Sequence, residues 1–166
     1  MAIRNVRKQG DEVLKTPCRP VTKMTPHLSE LIDDMLETMY DANGVGLAAP
    51  QVGVLKRLVV IDVTGEDPHV LINPRILESS GEQTGWEGCL SVPEKVGEVT
   101  RPAYVRVAAL DREMKEFEIE GTELLARCLC HEIDHLDGIM YTSKVNGPLK
   151  DVSNLSEDEE IGEEED

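Results

Sequence analysis

The sequence predicts an α+β fold, with antiparallel β-sheets surrounding a central metal-binding helix that carries an HExxH string, and a scaffold helix near the N-terminus. Three observations carry that reading. Apolar residues recur at helical spacing from Leu28 to Met39. Between about 54 and 119 the chain breaks into short Val- and Ile-rich runs separated by Gly and Pro. A second helical pattern, about Thr122 to Asp137, has so little purely polar circumference that sheet must cover most of it.

In chain order, residues 1–24 lack periodicity and contain Pro17 and Pro20, so they read as an extended arm wrapping the surface. Thr25-Pro26 then supplies an N-cap and a first-turn proline, and Asn43-Gly44 a stop, for a helix whose Leu28, Leu31, Ile32, Met35, Leu36 and Met39 face the core. Strands are expected at Leu58 to Val63, Val70 to Leu77, Tyr104 to Leu110 and Lys115 to Ile119, with Asp111-Arg112-Glu113-Met114 as a hairpin turn between the last two. The second helix ends at Gly138. Residues 1–150 are expected to form a single domain, and 151–166 an acidic, disordered tail.

Charge and cysteine usage narrow the function classes. The formal net charge is −16, and the nine acidic residues between Asp151 and Asp166, with no Lys or Arg among them, account for more than half of it. No Lys/Arg cluster with interleaved aromatics marks a nucleic-acid groove, so no direct DNA binding is expected. Four cysteines at 18, 89, 128 and 130 contain no CxxC pair and do not form a disulfide framework or a zinc ribbon. With no apolar signal region before Leu14 and no 18-residue apolar run, the expectation is a cytoplasmic protein without a membrane span.

The chemistry concentrates in His131-Glu132-Ile133-Asp134-His135. Two imidazoles four apart on a helix turn to one side and reach one metal ion, and Glu132 lies close enough to work on a water there. Cys89, in Glu87-Gly88-Cys89-Leu90-Ser91 at a loop or strand start, suits a third ligand or a small buried hydrophobe. Gly44-Val45-Gly46-Leu47-Ala48-Ala49 satisfies GxGxxA, but a helix precedes it and Pro50 follows, which excludes a dinucleotide-binding turn. Its glycines read as room for a ligand's backbone, and Gln51 as a polar group that serves either a ligand or the backbone. Asp134 and Arg101 can pair beside the site, and Trp86 either walls its mouth or is a rim indole. His27 and His69 read as solvated.

Three segments, Gly44 to Gln51 (GVGLAAPQ), Glu87 to Ser91 (EGCLS) and His131 to Gly138 (HEIDHLDG), resemble in order the three signature motifs of the peptide deformylase family. Similarity runs from about Ile3 to Lys144. The resemblance implies a hydrolase of protein biosynthesis that removes the formyl group from the initiator N-formylmethionine of nascent peptides, releasing formate. It implies Cys89, His131 and His135 as metal ligands for one ferrous iron per chain, with Zn(2+), Ni(2+) or Co(2+) as substitutes. Glu132 is then the acid/base, and Gln51 and the Leu90 amide are the oxyanion donors. Val45, Gly46, Glu87, Leu124 and Cys128 match substrate-binding positions. The implied partners are N-formylmethionyl peptides and, transiently, the ribosome, for a monomeric enzyme. One residue departs from the pattern: Cys130 stands where the family usually has Gln, which removes any hydrogen bond that Gln would make to the ligand sphere.

Two alternatives share some of these features. Zincin-type metallopeptidases also use HExxH but take a third ligand from a downstream Glu or His, whereas no histidine follows His135 and the downstream Glu residues all lie in the tail. A noncatalytic metal-binding interaction protein would use the acidic tail as its working end, and release of formate from a formyl-Met peptide separates it from an enzyme.

Overall fold

The computed structural model describes residues 2–152. Its elements in chain order are α1 (Pro26–Asp41), β1 (Gly46–Ala48), β2 (Leu58–Ile61), β3 (His69–Ser80), β4 (Gln83–Cys89), β5 (Val92–Arg101), β6 (Tyr104–Leu110), β7 (Glu116–Thr122), α2 (Glu123–Leu136) and β8 (Lys150–Asp151). One antiparallel sheet runs β1-β2-β3-β6-β7, and a second, smaller one runs β4-β5-β8.

Helix α1 starts where Thr25 Oγ1 accepts the Leu28 N–H at 3.1 Å and ends where Asn43 takes a left-handed φ of 60°. Its Leu28, Leu31, Ile32, Met35 and Met39 pack with Leu47, Leu58, Val60 and Ile72 on one face of the larger sheet. The other face meets α2: Val59 and Ile61, which alternate with Leu58 and Val60 along β2, join Ala126, Leu129, Ile133 and Leu136. Burial on both faces is why β2 reads Leu-Val-Val-Ile without a polar position.

The arm is less irregular than its sequence indicates. Asp11 caps a single 3-10 turn at Glu12–Lys15, and Leu14 is fully buried. The Ala2 N–H and the Arg4 side chain bond Asp34 on α1, the Arg7 N–H donates to Gln51 O at 2.7 Å, and the Gln9 N–H to Ser91 O at 2.8 Å. The arm therefore ties α1 to two segments that border the candidate site.

Four of the expected strands are present, and the Asp111 to Met114 turn closes the β6–β7 hairpin through the Met114 N–H to Asp111 O bond at 2.8 Å. Strands β1, β4, β5 and β8 were not foreseen. In β4 (QTGWEGC) the inward position is Glu87 rather than an apolar residue, so the period-2 signal is missing. Gly97 in β5 admits Val145 and Leu149, since a Cβ there would lie 2.5 Å from Val145 Cγ1. Asp151, placed by sequence in the tail, instead pairs with Lys95 of β5, so the folded region passes residue 150. The rest of the expected tail lies outside the described residues.

Candidate metal centre

Strand β7 passes into α2 without a loop, and Glu123 takes a left-handed φ of 51° at the junction. A Cβ on Gly121 would lie 2.8 Å from Leu125, so the start of the helix is seated tightly against the strand it leaves. Helix α2 packs on strands of both sheets and buries Arg127, His131, Glu132 and His135 among its apolar residues.

The second arm of the site is the β4–β5 hairpin. Its register breaks between Gly88 and Cys89, and Cys89 pairs with Val92 across a two-residue tip, Leu90-Ser91. Cys89 thus stands at the end of a strand rather than at a loop or strand start, with the break re-aiming its thiol toward α2. The ligand atoms of Cys89, His131 and His135 all lie within 4.8 Å of one another, and Cys89 Sγ is 3.4 Å from His135 Nε2. All three residues are buried. The third potential ligand comes from an upstream strand, not from downstream as in a zincin.

The carboxylate of Glu87 holds His131. Its Oε1 accepts from His131 Nδ1 and from Arg101 Nη2, both at 2.9 Å. Its Oε2 accepts from Arg101 Nε at 2.7 Å and from Arg127 Nη1 at 2.8 Å. Arg101 continues to Asp134 Oδ2 at 2.7 Å. Burial opposes the charge on Glu87, but the Arg101 and His131 hydrogen bonds outweigh it and hold the carboxyl well below the usual range. An ionised carboxylate only accepts, so His131 Nδ1 bears the hydrogen, which leaves Nε2 as the nitrogen that offers a lone pair to a metal when the ring is neutral. That Nε2 is buried with no hydrogen-bond partner among the described residues. A soft thiolate, two imidazoles and a partnerless buried nitrogen aimed between them fit a divalent transition metal.

Glu132 sits on the other side of His131. Its Oε1 is buried with no hydrogen-bond partner among the described residues, and burial pushes its pKa upward, so the proton is held far more readily than on an ordinary carboxylate. A Cβ on Gly46 would lie 2.5 Å from Glu132 Oε2. At this position the glycine makes room for a protein carboxylate, where the sequence reading had assigned the room to a ligand's backbone. Gln51, on a 3-10 turn at Ala49–Val52, accepts the Ala48 N–H at 2.9 Å and points its Nε2 at Ser91 Oγ (3.1 Å) and Cys89 Sγ (3.5 Å). Serving the backbone and facing the site are therefore both true of this side chain.

Of the expected substrate positions, Val45 and Cys128 join one apolar cluster with Leu124 packed against it. The side chain of Glu87 is fully engaged by two arginines and a histidine, which leaves its backbone as the part that can face a substrate. Cys130 is buried near Arg101 and outside the ligand group, and burial pushes its thiol up to about 11. Trp86 lies under Lys150, whose Nζ is 5.0 Å from the ring centroid. A cavity of about 300 Å3 opens beside Cys89 and Leu90 and is bordered by Val92, Lys95, Val96 and Val152. Sequence reasoning passed over Arg127, Ser91 and Tyr141, the last stacked on His131 at 5.9 Å between centroids. Arg127 alone left a signal, since it continues the His131, His135 row one turn earlier on the helix.

Comparison with known proteins agrees with this geometry. The family model described as polypeptide deformylase matches residues 3–151. Peptide deformylase of Agathobacter rectalis is 66% identical over 92% of this chain and 96% of its own length, and that of Lachnoclostridium phytofermentans 62% identical over 96% and 99%. Among solved structures, a peptide deformylase from Legionella pneumophila superposes with a TM-score of 0.86 at 49% identity, covering 87% of each chain. A Synechococcus elongatus peptide deformylase in complex with actinonin gives 0.84 at 41% identity, covering 87% of this chain and 79% of that one. With the family model matched over residues 3–151, relatives this similar over nearly their whole length and a superposable fold, the chain belongs to the polypeptide deformylase family.

Proposed function

We propose that this protein hydrolyses the formamide C–N bond of N-formylmethionyl peptides, with Cys89, His131 and His135 holding one metal ion and Glu132 moving the proton. The observation that carries the reading is the convergence of those three ligand atoms beside a buried carboxylate oxygen that no group among the described residues satisfies. The metal is ferrous iron, with Zn(2+), Ni(2+) and Co(2+) as substitutes. Held by those three residues, such an ion would supply Lewis-acid chemistry and would bring the pKa of a water down toward neutrality.

The residues of the chain do the rest. Glu132 takes the proton of the attacking water on its carboxylate and returns it to the leaving amine nitrogen, the same group serving as base and then as acid. Its raised pKa, caused by burial, suits that double task. Gln51 Nε2 and the Leu90 N–H donate to the oxygen that becomes negative in the tetrahedral intermediate. Both stand at the hairpin tip and the adjoining 3-10 turn, which the N-terminal arm ties down through Ser91 O and Gln51 O. Val45, Leu124 and Cys128 supply an apolar wall for the methionine side chain, and Gly46, with no Cβ to press on Glu132, lets that carboxylate lie against the strand whose backbone meets the substrate.

The central-helix architecture follows from the same reading: α2 is the metal-bearing helix and α1 the scaffold that supports the larger sheet from behind. Residues 1–150 with β8 make the catalytic domain, which works as a cytoplasmic monomer meeting the ribosome transiently. The acidic residues beyond 152 do not anchor it to rRNA, whose phosphates repel them. No helix among the described residues is long and apolar enough to cross a membrane.

The deciding experiment is metal analysis of anaerobically purified protein paired with formate release from formyl-Met and acetyl-Met peptides. Formyl-Met peptides are cleaved far faster, because the extra methyl of acetyl displaces the carbonyl from the Gln51 and Leu90 donors. Equal kcat/KM for the two would make the enzyme a general amidase.

A further inference from the structure

Arg127 lies on α2 one turn before His131, so that Arg127, His131 and His135 form a single row at i, i+4 and i+8. The first two members bond the same carboxylate: His131 Nδ1 reaches Glu87 Oε1 at 2.9 Å and Arg127 Nη1 reaches Glu87 Oε2 at 2.8 Å. The guanidinium occupies a fitted socket. Val99 O accepts from the same Nη1 at 3.2 Å, and Gly85 leaves room for Nη2, since a Cβ there would stand 3.2 Å away. Arg127 is buried, as is Glu87.

Arg101 and Arg127 act on Glu87 differently. Arg101, at the end of β5, meets both carboxylate oxygens and fixes the plane of the group within its own sheet. Arg127 comes from the helix. Because Glu87 belongs to β4, two residues before Cys89, the bridge from Arg127 through Glu87 to His131 pins two successive turns of α2 to the strand that carries the third ligand.

We propose that Arg127 is a positioning residue of the metal centre, setting the rotation of α2 against β4 and so the placement of His131 Nε2 relative to Cys89 Sγ. The inference rests on the metal-site reading above. Outer-sphere partners of this kind change metal affinity by about 10–100-fold when removed.

The test uses the full-length protein loaded with zinc. Arg127→Met keeps the apolar stem and deletes the guanidinium, and it should weaken metal binding in chelator competition by about tenfold. It should also alter the 15N shifts that report the His131 Nδ1–H tautomer. Arg127 acts through Glu87, so adding Arg127→Met to Glu87→Gln should cost little beyond Glu87→Gln alone. An Arg127→Met protein that holds zinc within twofold of the parent, with an unaltered His131 signal, overturns the proposal, as does full additivity with Glu87→Gln. If Arg127→Met does not fold, Arg127→Lys carries the test: the shorter lysine stem ends before the place that Nη1 holds between Glu87 Oε2 and Val99 O, and its ammonium lacks the planar fork that Gly85 admits, so zinc should be released faster, and an unchanged release rate overturns the proposal. Failure of the parent protein to bind zinc through Cys89, His131 and His135 would instead refute the metal-site reading itself.

Discussion

Helices α1 and α2 are of similar length and each buries one side against the larger sheet, on its opposite faces, yet the fully buried polar residues they carry are treated differently. On α1 the buried polar residues are Asp34 and Thr38, and the N-terminal arm satisfies both, Ala2 N–H and Arg4 on Asp34 and Arg4 N–H on Thr38, which leaves one oxygen of the half-buried Glu37 as the α1 side-chain atom buried without a partner among the described residues. On α2, His131 Nε2, Glu132 Oε1 and His135 Nδ1 are buried without partners among the described residues. An unsatisfied buried polar atom costs about 1–3 kcal/mol. A fold carries such a cost where a ligand or a reaction repays it, and this difference marks α2, not α1, as the chemical element.

The comparison can be broken most severely at the ligand set. Cys89→Ala should lose its metal and with it nearly all deformylation, whereas Cys130→Ala, equally buried but outside the ligand group, should keep one metal per chain; elemental analysis of both variants decides this. Next comes Glu132→Ala, expected to retain metal while kcat falls by at least about a hundredfold, the scale of acid/base assistance. Steady-state kinetics on metal-saturated protein with near-parental turnover would remove Glu132 from the reaction.

On α1 the expected losses are of stability, not chemistry. Met35→Ala, at a fully buried position, should cost about 2–5 kcal/mol in urea unfolding and leave kcat of the folded protein unchanged. Gly46→Ala sharpens the contrast from the other side. Its new Cβ would press on the end of Glu132, so kcat should drop about tenfold, less than in Glu132→Ala, with little change in midpoint. The smallest effect belongs to Thr25→Ala, which removes the bond to the Leu28 N–H and should cost about 1 kcal/mol, read as a shift in thermal midpoint with kcat unaltered.

Residues with local causes were legible in the chain. Thr25-Pro26 and Asn43 set the ends of α1, Gly138 follows α2, and the Asp111 to Met114 turn joins two strands whose alternation is regular. His131, Glu132 and His135 belong here too, since helical spacing alone puts them within reach of one ion. Strands β4 and β5 hid because Glu87 and Arg101 hold inward positions in them, buried through the ion pairs that join them to each other and to Arg127, His131 and Asp134. A pattern search reads such residues as solvent-facing, and no local rule says otherwise.

The sequence by itself therefore determined the class of fold, the two helices with their termini, and the identity of the groups able to bind a metal and move a proton. Periodicity, capping and donor chemistry are properties of residues and their near neighbours, so they survive without coordinates. Only the tertiary structure decided that Glu87 clamps His131, that Gly46 clears space for Glu132, that the arm secures Gln51 and Ser91, and that Asp151 is held in a sheet. Each of those joins positions between 44 and 86 residues apart, and the energy of such a contact exists only once burial has removed water from both partners.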